Sequence, residues 1–416
     1  MTSGPERSNP RRGRRVRLAY LASHPIQYQA PLLRRIAEEP DVDLTVFYGS
    51  DFSVRGYLDE GFGVGVKWDI PLLDGYRHEF LPKLRDRGRV SVASPLNYGI
   101  VGRLRGRGGD AAFDALWVHG YATVNALHGI VAAKALGIPV LLRADMWLRD
   151  RERSGFKLAL KNIFFAGLKR MVDGVLSVGT LNAEYWRHYF GDDVAQFLLP
   201  YAVDNQCFAQ RARAAAAGRA ALQAELGVEP ARPVILFAGK LQARKHCDHL
   251  IEAYARLSRR AGEEPRAVLV IVGDGAERAA LERQAAATGF GSIRFCGFRN
   301  QSELPRFFDL ATVFVLPSRH EPWGLIVNEV MNAARPAVVT DDVGCAPDLI
   351  EDGVNGCIYP VGDVDALARA LERVLEPGVA EAMGHRAFER IQSWSFEEDV
   401  RGLRQALEHV APGFAA

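Results

Sequence analysis

Short apolar, often β-branched runs recur along the whole chain, each closing on glycine, proline, histidine or a charged residue. In the first half they occupy 16–22, 42–48, 115–118, 138–144 and 174–178, and in the second half 234–238, 267–272, 293–298, 312–316 and 336–340. Runs of this length bounded by turn residues read as buried strands. Amphipathic stretches separate them, such as the one carrying Leu32, Leu33 and Ile36, and these read as helices. Strands alternating with helices predict an α/β chain with parallel sheets covered on both faces. The alternation weakens over 49–110, a long stretch rich in Gly and Arg, and over the Arg/Ala-rich 209–226, which reads as a helical connection. The pattern therefore predicts two Rossmann-like, doubly wound domains, 16–205 and 233–392, joined by 206–232. Residues 1–15 are expected to be a disordered basic tail, and 393–416 to end the chain in a helix opened by Trp394-Ser395-Phe396.

The stretch 312–341 carries the densest chemistry. A strand ends at Pro317-Ser318, a polar turn passes through Glu321 and Pro322, a helix is predicted from Gly324 to about Ala334, and Pro336 opens the next strand. Glu321 then lies on a loop beyond a strand's carboxyl end, where open α/β sheets bind ligands. Glu329 follows eight residues on, within the helix. Gly324 and Leu325 sit at the helix start, where free N–H groups favour an anion. One pocket holding a phosphate beside two carboxylates that accept hydroxyl hydrogen bonds suits a polyol diphosphate such as a nucleotide sugar.

The run Glu-Pro-Trp-Gly-Leu-Ile-Val-Asn-Glu, from Glu321 to Glu329, resembles the glutamate, seven residues, glutamate motif of the retaining glycosyltransferases of family four, which have the GT-B fold. The flanking Pro317-Ser318 and the turn at Val343-Gly344 fit the same resemblance, with Asp348 where glutamate is usual. Other segments extend it. Gly239 and Lys240 after the strand 234–238, with Lys245 five residues later, resemble the set that holds the donor diphosphate; many relatives have arginine at the position of Lys240. Gly273 falls near the donor, and Arg299 follows a strand whose end contacts the nucleobase in relatives. His119, closing the strand 115–118, resembles the histidine presented to the donor sugar. The segments SHPIQYQAP (23–31) and PYAVD (200–204) also match, although Pro25 and Ile26 replace a glycine pair that contacts phosphate in many relatives. The resemblance implies that Glu321 binds sugar hydroxyls, Glu329 the ribose, and Lys240 and Lys245 the diphosphate, with the departing phosphate taking the acceptor's proton. It also implies that the last helix crosses back to the first domain.

Three further residues are acceptor-side candidates: His24 at the carboxyl edge of the first strand, and Arg143 and Asp145 closing the strand 138–144. Each also suits a structural role, His24 as a cap and the other two as an ion pair. Phe52, Arg55, Tyr57, Phe62, Trp68 and Tyr76 form an aromatic and charged set in 49–110 that suits either an acceptor surface or covered core. Gly273-Asp274-Gly275 lacks the third glycine of a dinucleotide fingerprint, because Arg278 stands there. Asp41-Val42-Asp43 begins a predicted strand, which is the wrong context for a metal-binding DxD motif, so no catalytic metal and no cofactor beyond the sugar-nucleotide co-substrate is expected.

Composition bounds the partners. With 416 residues, 48% hydrophobic and 25% charged, the chain is long enough for two cores. A formal net charge of +2 argues against nucleic acid as partner. Five scattered cysteines (207, 247, 296, 345, 357) without CxxC spacing predict a reducing, cytoplasmic compartment. No run approaches the ~18 apolar residues of a membrane span, and the Arg-rich N-terminus lacks the apolar core of a signal peptide. The stretch 151–172 carries six basic residues against Glu152, with Leu158, Phe164, Phe165 and Leu168 as apolar bulk. It reads as a peripheral helix covering the sheet, or as a helix lying on the inner face of an anionic membrane.

The expected activity is transfer of a hexosyl group, with retention, from a UDP- or GDP-linked sugar to a hydroxyl acceptor, sugar or lipid-linked glycan. A sugar-nucleotide epimerase, a sugar phosphorylase and a non-catalytic sugar-nucleotide-binding partner of a synthase complex are the other readings of the same motifs.

Overall fold

The computed structural model describes residues 15–106, 112–149, 155–258 and 264–411. The expected basic tail lies outside the described residues except for Arg15. The first sheet has seven strands, all parallel, in the spatial order Ala195–Leu198, Gly174–Ser177, Val140–Arg143, Ala115–His119, Val16–Ala22, Val42–Tyr48, Arg77–Phe80. The second has six, also all parallel: Ile293–Phe295, Val268–Val272, Val234–Ala238, Val313–Leu316, Ala337–Thr340, Gly356–Tyr359. Val140–Arg143 and Gly174–Ser177 in the first sheet, and Val234–Ala238, Val268–Val272, Val313–Leu316 and Ala337–Thr340 in the second, are buried along their whole length, which is why they read as continuous apolar runs rather than alternating ones.

Strand order reverses once in each sheet, between Val16–Ala22 and Ala115–His119 in the first and between Val234–Ala238 and Val313–Leu316 in the second. Loops leaving adjacent strands at such a point diverge to opposite faces and leave a crevice at the carboxyl edge. The crevices hold Ser23-His24 and His119 in one domain, and Gly239-Lys240 and the Glu321 loop in the other.

Three segments differ from the sequence expectation. Residues 49–110, weakly periodic in sequence, hold the edge strand Arg77–Phe80 and two antiparallel ribbons, Tyr57–Asp59 with Val64–Val66 and Lys83–Arg85 with Leu96–Asn97. Elements of two to four residues bury too few side chains for a period to register. The predicted strand 293–298 stops at Phe295, because Gly297 turns the chain at φ 68°. The helix after Glu321 spans only Leu325–Met331, and Ala334 leaves it with φ 54°.

The last helix, Phe396–Val410, opens with a capping box between Ser395 and Glu398 and packs Val400, Leu403, Ala406 and Leu407 into the first domain's core. The crossing is made of tryptophans. Trp394 stacks on Trp323 at 5.6 Å and donates to the Tyr201 carbonyl at 3.0 Å, and Trp323 donates to Asn328 at 3.0 Å. Trp323, in the middle of the glutamate motif, therefore joins the two domains rather than facing a ligand.

Candidate functional site

The cleft between the domains contains a cavity of about 340 Å³. Its wall in the second domain comes from four loops at the carboxyl edge of the sheet, those after Val234–Ala238, Val268–Val272, Ile293–Phe295 and Val313–Leu316. After Val234–Ala238, Gly239 donates to the Val272 carbonyl at 2.9 Å, and the neighbouring turn returns with Gly273 donating to the Gly297 carbonyl at 2.8 Å. A Cβ on Gly273 would stand 1.8 Å from the Gly239 oxygen, so the two turns pass this closely only with glycine there. The single turn Ala243–Lys245 follows and presents Arg244 and Lys245. The loop after Val313–Leu316 holds Glu321, whose N–H donates to the Asp342 carbonyl at 3.1 Å and whose carbonyl accepts from Gly344 at 2.9 Å. Gly324, at φ 91°, then opens the helix carrying Glu329.

These loops bring their charges to one place. Lys245 Nζ donates to Glu321 Oε2, and Arg244 approaches the same oxygen at 3.2 Å. Burial pushes the Glu321 carboxyl up, but Lys245 and Arg244 together hold it below its ordinary range. Burial lowers the Lys245 ammonium, and Arg244 and Lys240 add to that against the pull of Glu321. Three cations crowd two carboxylates, Glu321 and Asp59, so the cavity has positive charge to spare for an anion. Glu329 is different: burial alone pushes its carboxyl up to about 8, so it holds a proton at neutral pH.

All nine residues that the sequence placed at the donor line this one cavity: Gly239, Lys240, Lys245, Gly273, Arg299, Glu321, Gly324, Leu325 and Glu329. The other four do not line it. His24 hydrogen-bonds Ser23 at 2.8 Å and lies against Phe52 at 4.6 Å, and burial lowers it to about 4. His119 is lowered to about 3 by burial and by Arg143, and its buried Nδ1 has no hydrogen-bond partner among the described residues. Arg143 is fully buried; it donates to the Leu199 and Pro200 carbonyls at 2.8 Å, lies 3.5 Å from Asp399, and is enclosed by the Trp117 and Tyr201 rings. Burial raises the Asp145 carboxyl, against the pull of Tyr201 and Arg143.

The first domain contributes a wall that the sequence did not assign to the donor. The ribbon Tyr57–Asp59/Val64–Val66 leans over the cleft, and Lys240 Nζ donates to both Asp59 oxygens at 2.8 and 2.9 Å. The Phe62 ring meets Phe298 edge-on at 4.8 Å and sits 4.9 Å from Lys240 Nζ. Asn300 donates to the Lys67 carbonyl at 2.7 Å. Of the aromatic set in 49–110, Tyr57, Phe62 and Trp68 line the cavity, Phe52 and Tyr76 are buried in the first domain, and Arg55 is paired with Asp51. Asp59 and Arg244 were not read from sequence. Arg244 had a signal, a cation next to Lys245; Asp59 had none, because its partner lies 181 residues away. Among the described residues one group of side chains has metal-ligand geometry, His246, Asp248 and His249, and it does not line the cavity.

Two parallel-sheet domains facing a cleft are the arrangement of the GT-B class. The chain superposes over 95% of its length on 99% of sucrose-phosphate synthase from Thermosynechococcus elongatus, with TM-score 0.66 and 19% identity. It likewise superposes over 95% of its length on 99% of Anabaena HepE in complex with UDP, with TM-score 0.69 and 16% identity. Within that class, residues 219–390 are similar to the family of the glycosyl transferases group 1. Alpha-D-kanosaminyltransferase of Streptomyces kanamyceticus is 36% identical over 173 residues, 41% of this chain and 44% of that one. The chain spans about half the length of the curated relatives it matches first.

Proposed function

We propose that the protein is a retaining glycosyltransferase that moves a hexosyl group from a nucleotide-diphosphate sugar to a hydroxyl acceptor, with side-chain cations in place of a metal. The observation that carries this reading is the convergence of Lys240, Arg244 and Lys245 on a cavity that also holds Glu321, Glu329 and the Gly324 and Leu325 amides. Breaking the sugar–phosphate bond places a further negative charge on the diphosphate. Cations already fixed in a sparsely hydrated cleft stabilise that charge without reorganising.

The protonation states restrict who takes the acceptor's proton. Glu321 is held ionised and paired, and His24 and His119 are weak bases with pKa values near 4 and 3. The departing phosphate oxygen is then the strongest base beside the reacting carbon, which agrees with attack from the same face and retention. Glu329 accepts a ribose hydroxyl once a nucleotide drives off its proton. The UDP seen in the Anabaena HepE structure makes uridine the first base to try.

A thermal-shift screen of UDP, GDP, ADP and their hexose conjugates tests the reading, since a ligand specific for the folded state raises the midpoint by mass action. One nucleotide class is expected to stabilise the protein, and turnover in its presence is expected to survive EDTA. Stabilisation by none of them refutes the donor site. Turnover that EDTA abolishes and Mg²⁺ restores refutes the metal-free mechanism.

A further inference from the structure

The helix Gly155–Lys169 faces the wrong way for a peripheral helix. Only Phe165 and Leu168 are buried against the domain. Phe156, Leu160 and Ile163 are 75%, 52% and 70% exposed. At about 100° per residue, Phe156, Leu160, Ile163 and Gly167 fall within roughly 60° of one another, on the side opposite Phe165. The helix thus turns its apolar stripe to solvent, with Phe164, 38% exposed, widening it. A solvated helix face is ordinarily polar, so the stripe marks a surface built to be covered.

Charge indicates what covers it. The helix contains three lysines and no acidic residue. Lys161 is engaged with the Phe165, Tyr185 and Tyr189 rings and Lys169 with Asp193, whereas Lys157 and Arg170 are exposed on the flanks of the stripe. An exposed apolar stripe edged by cations matches a surface that is apolar within and anionic at its border, which describes a bilayer with acidic headgroups. The helix is too short and no described helix is apolar enough to cross it, so the helix lies in the plane of the interface.

Its position ties the surface to the cleft. The helix follows the strand Val140–Arg143 and Asp145, which stand at the carboxyl edge of a parallel sheet, so Phe156 begins the stripe at that edge. We infer that the face formed by Phe156, Leu160, Ile163 and Phe164, flanked by Lys157 and Arg170, docks the protein on an anionic lipid bilayer and presents the cleft to an acceptor embedded in it. The acceptor half of this inference rests on the glycosyl-transfer reading; the docking half does not.

Flotation with large unilamellar vesicles tests it. The full-length protein is expected to float with vesicles of phosphatidylcholine containing 30% phosphatidylglycerol and to remain behind with phosphatidylcholine alone. The Phe156→Glu, Ile163→Glu double variant is expected to lose at least tenfold in partition, and Lys157→Glu a smaller factor that 0.5 M NaCl removes from the wild type as well. Unchanged nucleotide-induced thermal shifts in the same variants show that the fold and donor site are intact, so loss of docking is not mistaken for loss of the transferase site. Equal flotation of wild type and double variant overturns the inference. So does a concentration-dependent dimer in light scattering that the double variant abolishes, because the stripe is then covered by a second copy.

Discussion

Lys240 Nζ reaches across the cleft and donates to both carboxylate oxygens of Asp59, at 2.8 and 2.9 Å. The pair joins the domains and engages one of the cations that the proposed function assigns to the donor diphosphate. Under that proposal an incoming diphosphate competes with Asp59 for Lys240. Asp59→Asn is expected to tighten binding of the preferred nucleoside diphosphate by about two- to fivefold, the range of a partly exposed ion pair. Isothermal titration measures it, and equal affinities show that Asp59 does not compete.

Glu321 and Lys245 are buried together, so truncating either removes more than a contact. Glu321→Ala leaves Lys245 and Arg244 without their carboxylate, and Lys245→Ala removes a cation from the developing charge. Each is expected to lower kcat at least a hundredfold, the scale of one lost transition-state electrostatic contact. Circular dichroism is expected to show the fold retained, with a lower melting temperature because a buried charge loses its partner. Near-native turnover in either variant removes that residue from the site.

Glu329 predicts two pH effects. Its folded pKa near 8 lies above the ordinary 4.5, so between these values the folded state keeps a proton that the unfolded state has lost. Its contribution is therefore neutral below pH 4.5 and increasingly destabilising as pH rises to 8. Glu329→Gln is expected to raise the melting temperature by a few degrees at pH 8 and not at pH 4.5. Nucleotide binding that turns Glu329 into an acceptor for ribose is expected to release up to one proton at pH 7, seen as a buffer-dependent binding enthalpy. The Gln variant should lack that release.

Burial lowers His24 and His119 to about 4 and 3, so neither changes charge between pH 5.5 and 7.5. The pH profile of kcat/KM is expected to show no limb near 6.5. A limb that disappears in His119→Asn would restore this histidine as an acid–base group.

Trp323 and Trp394 are almost fully buried where the last helix leaves the second domain. Trp394→Ala is expected to cost about 3–5 kcal/mol through lost burial and the cavity left behind. Denaturant melts of the variant should shift accordingly, and a shift below 1 kcal/mol would show that the crossing is not held by the stack.

The sequence by itself determined the two sheets, because each fully buried parallel strand must be a continuous apolar run, and Val234–Ala238 or Val313–Leu316 allows little else. It also determined the loops that line the cavity, since Gly239, Gly324 and Glu321 stand at fixed distances from strand ends, and local geometry carries them to the carboxyl edge. The ribbon over the cleft, the Asp59–Lys240 contact and the outward turn of the helix Gly155–Lys169 were decided only by the tertiary structure. Elements of three residues leave no period to read, and partners 181 residues apart leave no local trace. Which face of an apolar helix meets the sheet depends on whether its neighbours already fill the space. Here the Phe165, Tyr185, Trp186 and Phe190 side chains complete the core, and the rest of the helix is left to solvent.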